Sequence, residues 1–462
     1  MSLAGRGGGA GEDRVARLRP PREVLRIAEK LEAAGHETWC VGGAVRDALL
    51  GIPHQDWDLA TAARPQAVRR LFPKTIPVGI EFGTVGVLDG DGRLHEVTTF
   101  RRDVQTDGRH AVVEFGASLD EDLARRDFTI NAIAYSPGRR LLHDPFDGQG
   151  DLARRVVRAV GDPAERMRED RLRALRAIRF AGRFGFDIDP ATWNAIVESA
   201  PHMGRLSGER VKQELDKTFE QVGCPALSLR MWRDSGAFAT LAPPLAHASD
   251  ELFAALDHLP VAAGARASRR RLLRHAALFS DLRPPALAPL LSALRFSRAE
   301  TRGVTRLGEL WRALGGELRA ALDAPVPPSD AAIRRWVARA GRTEFAILLR
   351  LAAARWAGSG SPPPATASRA LYRRAMRISY RDPVSVGDLA IGGDDLRTLG
   401  VPPGPGMARL LEMLLDEVLE DPAMNSVEHL LGRAGVLAKE LPEPGGRITG
   451  GASRRPRPGA PE

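Results

Sequence analysis

The chain has 462 residues and a formal net charge of +9, from 67 Lys and Arg against 58 Asp and Glu. It is too long for a single core and implies roughly three or four domains. Hydrophobic residues at 43% can fill such cores, whereas aromatics at only 5%, beside abundant Ala, Leu and Arg, favour helices over β-sandwiches. No apolar run is long enough to span a bilayer, and the N-terminal MSLAGRGGGAGEDR has no signal-peptide segment. Membrane and secretory classes are therefore excluded, and a cytoplasmic protein is expected. Cys40 and Cys224 lie far apart in apolar-looking segments, so neither a disulfide framework nor a cysteine zinc site is supported; both are expected to be buried thiols. The positive balance, with a pI near 10.2, points to nucleic acid as partner, although an arginine-rich composition of genomic origin would give the same charge.

Residues 1–19 are Gly/Arg-rich and aperiodic and are expected to be disordered. Val24, Ile27, Ala28 and Leu31 repeat at helical spacing over 23–34, and Gly35 ends that helix. Thr38, Trp39, Cys40 and Val41 read as a short buried strand, Gly42-Gly43 as a turn that lets backbone approach a ligand, and 44–50 as a helix closed by Gly51. Free N–H groups and the positive dipole end at that helix start suit a phosphate, with Arg46 a cation one turn in. Asp56-Trp57-Asp58 comes next. In a strand, residues two apart share a face, so both carboxylates aim at one point, as hard ligands for Mg²⁺ would. A glycine turn leading into a solvated acidic loop is the plainer reading of the same residues.

A helix is expected over 66–72 and strands over 83–88 and 93–100. Asp89-Gly90-Asp91-Gly92 between the strands is a strong hairpin signal that makes part of the sheet antiparallel. In the second strand Leu94, Glu96, Thr98 and Phe100 share a face, so Glu96 is either a third carboxylate or a solvent-facing strand residue. The polar, weakly periodic 101–115 reads as a mobile loop, and 119–135 as a helix in which Arg126-Asp127 stand where the apolar side begins. From 151 onward the pattern is almost wholly helical, with breaks at 182–190, 201–207 and 243–244. Residues 358–368, GSGSPPPATAS, are linker-like, one good helix stands beyond them at 407–419, and 443–462 repeats the composition of the N-terminus.

Within 169–180, Leu172, Leu175, Ile178 and Phe180 supply a buried side, while Asp170, Arg173 and Arg176 recur every third position on another. Asp170 and Arg173 would stand side by side, an acceptor next to a donor. Such a pair matches the Watson–Crick edges of cytosine and adenine and opposes those of uracil and guanine, by about 1–3 kcal/mol for a good bidentate set. The alternative is an intrahelical surface pair contributing roughly a few tenths of a kcal/mol.

GGAVRD at 42–47, DWDLAT at 56–61, RRDFTINAIA at 125–134, DPFDGQGDL at 144–152, EDRLRALRAIRF at 169–180 and SGERVKQEL at 207–215 occur in an order that resembles the class II tRNA nucleotidyltransferases, the family of CCA-adding enzymes and bacterial poly(A) polymerases. The resemblance implies an α+β protein: a polymerase-β-like nucleotidyltransferase head followed by all-α neck, body and tail. The expected divisions are a disordered 1–20, a head over 21–150, a neck with base-recognising helices over 151–221, a helical body over 222–357, a linker at 358–368, a tRNA-binding tail over 369–442 and a disordered 443–462.

By the same resemblance, Asp56 and Asp58 hold Mg²⁺ and Glu96 stands where a third catalytic acid belongs. Gly43 and Arg46 contact the triphosphate, and Asp127 approaches the ribose 2′-OH with Arg126 beside it. Asp170 and Arg173 template C or A, and Arg176 and Arg179 complete the base and phosphate contacts, Arg179 being alternatively structural. The implied substrates are tRNA, CTP and ATP, with no DNA or membrane partner. Ser280-Asp281 stands where many relatives carry the His-Asp of a phosphohydrolase signature, which argues against metal hydrolysis in the body. Residues 389–422 resemble the RNA-holding tail of the CCA-adding branch, with the DDL turn at 394–396 read as structural. The rival readings are a poly(A) polymerase, opposed by the glycine-rich 77–87; a CC-only or A-only enzyme, which turns on the loop core Asp107-Gly108-Arg109-His110; and a silent RNA-binding protein, opposed by the intact acidic pair.

Overall fold

Short apolar runs near the N-terminus, punctuated by Gly and Pro, build one mixed sheet, and helical periodicity governs the remainder of the chain. The computed structural model describes residues 17–53, 56–106 and 111–439. They fall into two units, Met1–Gly308 with Ala354–Ser361, and Glu309–Ala353 with Pro362–Glu462.

In the first unit α1 (Arg22–Ala33) precedes β1 (Thr38–Val41), α2 (Gly43–Leu49), β2 (Asp58–Thr61) and α3 (Pro65–Leu71). Then come β3 (Thr75–Gly79), β4 (Thr84–Leu88), β5 (Leu94–Thr99), β6 (Arg101–Thr106), β7 (Ala111–Phe115), α4 (Leu119–Ala124), β8 (Ala134–Ser136) and β9 (Leu141–His143). The main sheet runs β3-β4-β5-β2-β1-β8-β9. Within it β2 and β5 pair in parallel, with Leu59 opposite Val97. One face buries Cys40, Leu59, Val85 and Val97 under α1 and α3. On the other, Trp39, Val41 and Ala60 form a core with Phe100, Leu119, Leu123 and Ala132, while Asp58 and Glu96 stay exposed. The Asp89–Gly92 hairpin forms as its sequence demands, with Asp89 N–H bonded to Arg93 O and Gly92 at φ +78°.

Three local expectations are corrected. The 101–115 stretch is a two-stranded ribbon in which Arg101 pairs with Phe115 and Arg102 with Glu114; its core, Asp107 to His110, lies outside the described residues. The ribbon forms a two-stranded sheet separate from the main one. The 119–135 helix stops at Ala124, and the apolar run beyond it becomes a 3₁₀ turn, Thr129–Asn131, and then β8, which pairs Tyr135 with Cys40. A short apolar run fits a buried helix or a buried strand equally well, and the partner strand decides. Cys40 is buried, but Cys224 is exposed in the turn preceding Pro225.

The chain continues through α5 (Gly148–Arg154), the short strand β10 (Val156–Val157), α6 (Pro163–Glu169), α7 (Leu172–Phe184) and β11 (Asp187–Ile188), which pairs in parallel with β10. Next are α8 (Pro190–Ser199), α9 (Gly208–Gln221), α10 (Ala226–Asp234), α11 (Ala237–Leu241), α12 (Asp250–Asp257), α13 (Ala267–Leu278) and α14 (Pro284–Ala293). α7 packs on α9 and α10 through its Leu175, Ile178 and Ala181 side. Fully buried Arg274 on α13 donates to the carbonyls of Phe219, Val222, Gly223 and Leu259, tying down the end of α9. In the body segment Ser280 is buried and donates to Ala277 O, and Asp281 is held by Arg355.

α15 (Arg298–Asp323) and α17 (Arg342–Gly358) contribute residues to both units. The second unit adds α16 (Asp330–Ala340), α18 (Ala365–Arg381), α19 (Gly393–Thr398), α20 (Pro405–Glu420) and α21 (Val427–Leu437), so the helix expected at 407–419 has several companions. Leu396, Leu410, Leu414, Val418 and Leu430 make its core. Buried Arg334 donates to Leu419 O and Glu420 O, placing a cation on the negative end of α20. The DDL segment is a helix start whose Asp395 accepts from Gly392 N–H. Among the described residues no helix is long and apolar enough to cross a membrane.

Candidate active site

The site begins at the end of β1. Gly42 adopts φ +75°, a conformation costly for any residue with a Cβ, and a Cβ there would stand 3.1 Å from Arg126 Nη1. The turn delivers the chain into α2 beside β2, whose Asp58 lies next to Glu96 because Leu59 and Val97 are register partners. Both carboxylates stand on one face, opposite Leu59 and Val97. Trp57 is 3% exposed while Asp56 and Asp58 face outward, the alternation that the acidic pair required.

A cleft of about 640 Å³ opens above this face. Gly42, Gly43, Asp58, Thr84, Glu96, Thr98 and Arg101 line its sheet side; Arg126, Asp127, Asn131, Asp170, Arg173, Arg176 and Arg179 line it opposite, and Arg210, Lys217 and Gln221 of α9 complete it. Asp56, just before β2, is not among the lining residues.

Several cleft cations are already engaged. Arg46 is 3% exposed; its Nε donates to Asp47 Oδ1 at 2.7 Å, Nη1 reaches Asn131, and its guanidinium lies over Phe180 and Phe184. Burial lowers its pKa against the pull of Asp47. Asp47, fully buried, also accepts from Arg183 of α7 at 2.9 Å, so the glycine turn is braced against α7. Asp122 accepts two bonds from Arg125 and one from Arg126.

Arg126-Asp127 lies beyond the end of α4, in a bend that leads into Phe128, and Asp127 lines the cleft. Its Oδ2 accepts from Arg176 Nε and Nη2 at 2.9 and 2.6 Å, and its Oδ1 accepts from Asn131 Nδ2 and Phe128 N–H. Burial alone would raise the Asp127 pKa, but the Arg176 charge and these donors outweigh it and hold it at about 2. The same carboxylate raises the pKa of Arg176.

Asp170 does not continue one helix with Arg173. It sits extended between α6 and α7, accepting from Leu172 N–H at 3.0 Å and from Arg210 Nη2 at 2.7 Å. Arg173 donates to Glu169 Oε2 at 2.5 Å, to Arg166 O and to Arg125 O. The expected side-by-side placement on one helix is thus replaced by a tertiary pair, Asp170–Arg210, and a local one, Arg173–Glu169, and an acceptor and a donor still border the same cleft. Arg179, 3% exposed, is fixed by Glu214 at 2.7 Å and Gln221 at 2.9 Å, the arrangement of a buried structural cation.

Sequence reasoning passed over Asn131, Arg183 and the α9 set Arg210, Glu214, Lys217 and Gln221. The last four recur at i, i+4, i+7 and i+11, a polar stripe at helical spacing that was readable but looked like any solvated face.

Nucleotidyl transfer generally needs a divalent cation. Among the described residues no three His, Cys, Asp or Glu side chains converge on a metal position. Mg²⁺ binds through one or two carboxylates and completes its shell with water and substrate phosphate, so the neighbouring Asp58 and Glu96 are a fitting donor set.

The family model described as "Poly A polymerase head domain" matches residues 38–158, and "Probable RNA and SrmB- binding site of polymerase A" matches 185–249. The chain is 35% identical over 419 residues to the CCA-adding enzyme of Geobacillus stearothermophilus, covering 89% of this chain and 96% of that one. It is 34% identical over 431 residues to the CCA-adding enzyme of Limosilactobacillus fermentum, covering 92% and 98%. The crystal structure of the Bacillus stearothermophilus CCA-adding enzyme in complex with CTP superimposes with a TM-score of 0.72 at 33% identity, over 92% of this chain and 99% of that one. Similarity of this extent, on a mixed-sheet head with a helical remainder, means that the chain belongs to the CCA-adding enzyme family of nucleotidyltransferases.

Proposed function

We propose that this chain is a cytoplasmic, Mg²⁺-dependent enzyme that adds C, C and A without a nucleic-acid template to the 3′ end of tRNA. The observation that carries this reading is a cleft bordered by Asp58 and Glu96 on one side and by Asp170 and Arg173 on the other, which gives chemistry and base choice separate walls. In the reaction the RNA 3′ oxygen bonds to the α-phosphorus of CTP or ATP, and the bond to the β-phosphate oxygen breaks, releasing pyrophosphate.

The Gly42-Gly43 turn binds the triphosphate through backbone that no side chain obstructs, and Arg46 braces it from behind. Asp58 and Glu96, with Asp56 alongside, would hold Mg²⁺, which when bound acidifies the attacking hydroxyl and neutralises charge on the phosphates. Asp127, ionised and oriented by Arg176 and Asn131, accepts from a ribose hydroxyl. Asp170 accepts from the exocyclic amino group of C or A while Arg173 donates to the neighbouring ring nitrogen, and uracil or guanine presents the reverse pattern. Arg176 supports the base and phosphate wall, and Arg179 fixes α7 to α9.

The test gives purified protein tRNA ending at the discriminator base, tRNA ending in CC, and an unrelated RNA, each with CTP, ATP or both. A product stopping at CCA is expected; long A tracts on any RNA would show a poly(A) polymerase, and arrest at CC a partial enzyme. Asp170→Ala should transfer with weakened discrimination between C or A and U or G, and unchanged selectivity would defeat its role as reader.

A further inference from the structure

The catalytic face of the sheet does not end at Glu96. In the β4–β5 register Gly86 is the direct partner of Glu96, so the two positions share a face, and Ile76 of β3 is the partner of Gly86 on its other side. A Cβ built on Gly86 would meet Leu94 Cδ1 at 2.4 Å and Val78 Cγ2 at 2.8 Å, which places those two side chains over Gly86 on the same face. Ile76, Val78 and Leu94 are 43%, 42% and 41% exposed, unusual for three neighbouring aliphatic residues in one sheet. They form an apolar shelf floored by glycine and continuous with the cleft through Thr84 and Thr98, which are hydrogen-bonded to each other and line it.

From this we infer that the shelf of Ile76, Val78 and Leu94 receives the unpaired 3′-terminal nucleotides of the RNA that is being extended. The inference rests on the proposed nucleotidyl transfer. In an in-line displacement the attacking and leaving oxygens stand on opposite sides of the phosphorus. The strand order fixes those sides: the glycine turn that takes the triphosphate adjoins the end of β1, the carboxylates stand on β2 and β5, and β4 and β3 lie beyond them. Pyrophosphate therefore departs toward β1, and the attacking 3′ oxygen arrives over β5 from the β4–β3 side. Strands are about 4.8 Å apart, so the shelf starts within the reach of one or two nucleotides from Glu96. The ligand surface that fits aliphatic side chains there is the face of a base or ribose, and sequence-tolerant contact of this kind suits an end that changes with each addition.

Two measurements test this. Val78→p-benzoylphenylalanine should photocrosslink to the last few nucleotides of tRNA ending at the discriminator base; no RNA crosslink, or crosslinks confined to the paired stem, would overturn the inference. The double variant Val78→Ser with Leu94→Ser should raise KM for tRNA about tenfold with KM for CTP and the melting temperature unchanged. An unchanged tRNA KM, or an equal rise for CTP, would likewise overturn it. If the p-benzoylphenylalanine variant crosslinks to the RNA end but the wild type makes no CCA product, the shelf stands and the proposed reaction fails; a wild type that makes CCA with no effect of the double variant has the opposite meaning.

Discussion

The ionised state of Asp127 should be visible as acid sensitivity. Its carboxylate is held at about 2 against an ordinary 3.8, despite burial, by Arg176 and two further hydrogen-bond donations, from Asn131 and Phe128 N–H, and its side chain is only 10% exposed. A folded pKa below the unfolded one means that the stabilisation is fully present above about pH 4 and is lost as pH falls toward about 2. At 1.36 kcal/mol per unit this is about 2 kcal/mol in all, of which about 1 kcal/mol disappears between roughly pH 5 and pH 3. Asp127→Asn removes that titration and leaves Arg176 without its partner, so the variant should be less stable at neutral pH by about 3 kcal/mol. Urea unfolding of wild type and variant at the two pH values gives the answer: the stability gap between them should narrow by about 1 kcal/mol at the lower pH. A gap independent of pH would refute the assignment of Asp127 as a carboxylate stabilised by these partners.

Other substitutions separate chemistry from scaffolding. Asp58→Ala should abolish incorporation of both CTP and ATP with the circular dichroism spectrum retained; residual wild-type turnover would remove Asp58 from the chemistry. Glu214→Ala strands the buried Arg179 and should lower stability by about 3–5 kcal/mol, read by thermal unfolding, whereas Glu214→Gln keeps an acceptor and should lose less. Gly42→Ala forces a Cβ into φ +75° and against Arg126, and should cost about 1–2 kcal/mol while weakening CTP binding measured by calorimetry; unchanged binding would show that the turn does not cradle the triphosphate.

Much of the head was legible because it rests on local periodicity. The period of two that sends Asp56 and Asp58 one way and Trp57 the other is a property of any strand, as is the sharing of a face by Leu94, Glu96 and Thr98. The hairpin at 89–92 and the glycine turn at 42–43 arose from backbone conformations that few residues other than glycine adopt. The order of the motifs, each a short chemical unit, was enough to suggest the family.

Tertiary structure decided what these units do together. Asp170 and Arg173 looked like an intrahelical pair, yet Asp170 leaves the helix and is held by Arg210 of α9, a partner no helical period announces. Arg126-Asp127 looked helical, yet the helix ends at Ala124 and the chain bends there, and Asp127 meets Arg176 of α7 across the fold. Arg46, read as a fixed cation one turn into the helix, lines the cleft and is held there by Asp47, Asn131 and two phenylalanines of α7, partners that its sequence neighbourhood does not announce apart from Asp47. The sequence by itself determined which residues carry chemistry and which way strand side chains point, since both depend on near neighbours. Which charge pairs with which was left to the fold, because ion pairs form between groups that packing brings within a few ångströms, and sequence distance does not encode that.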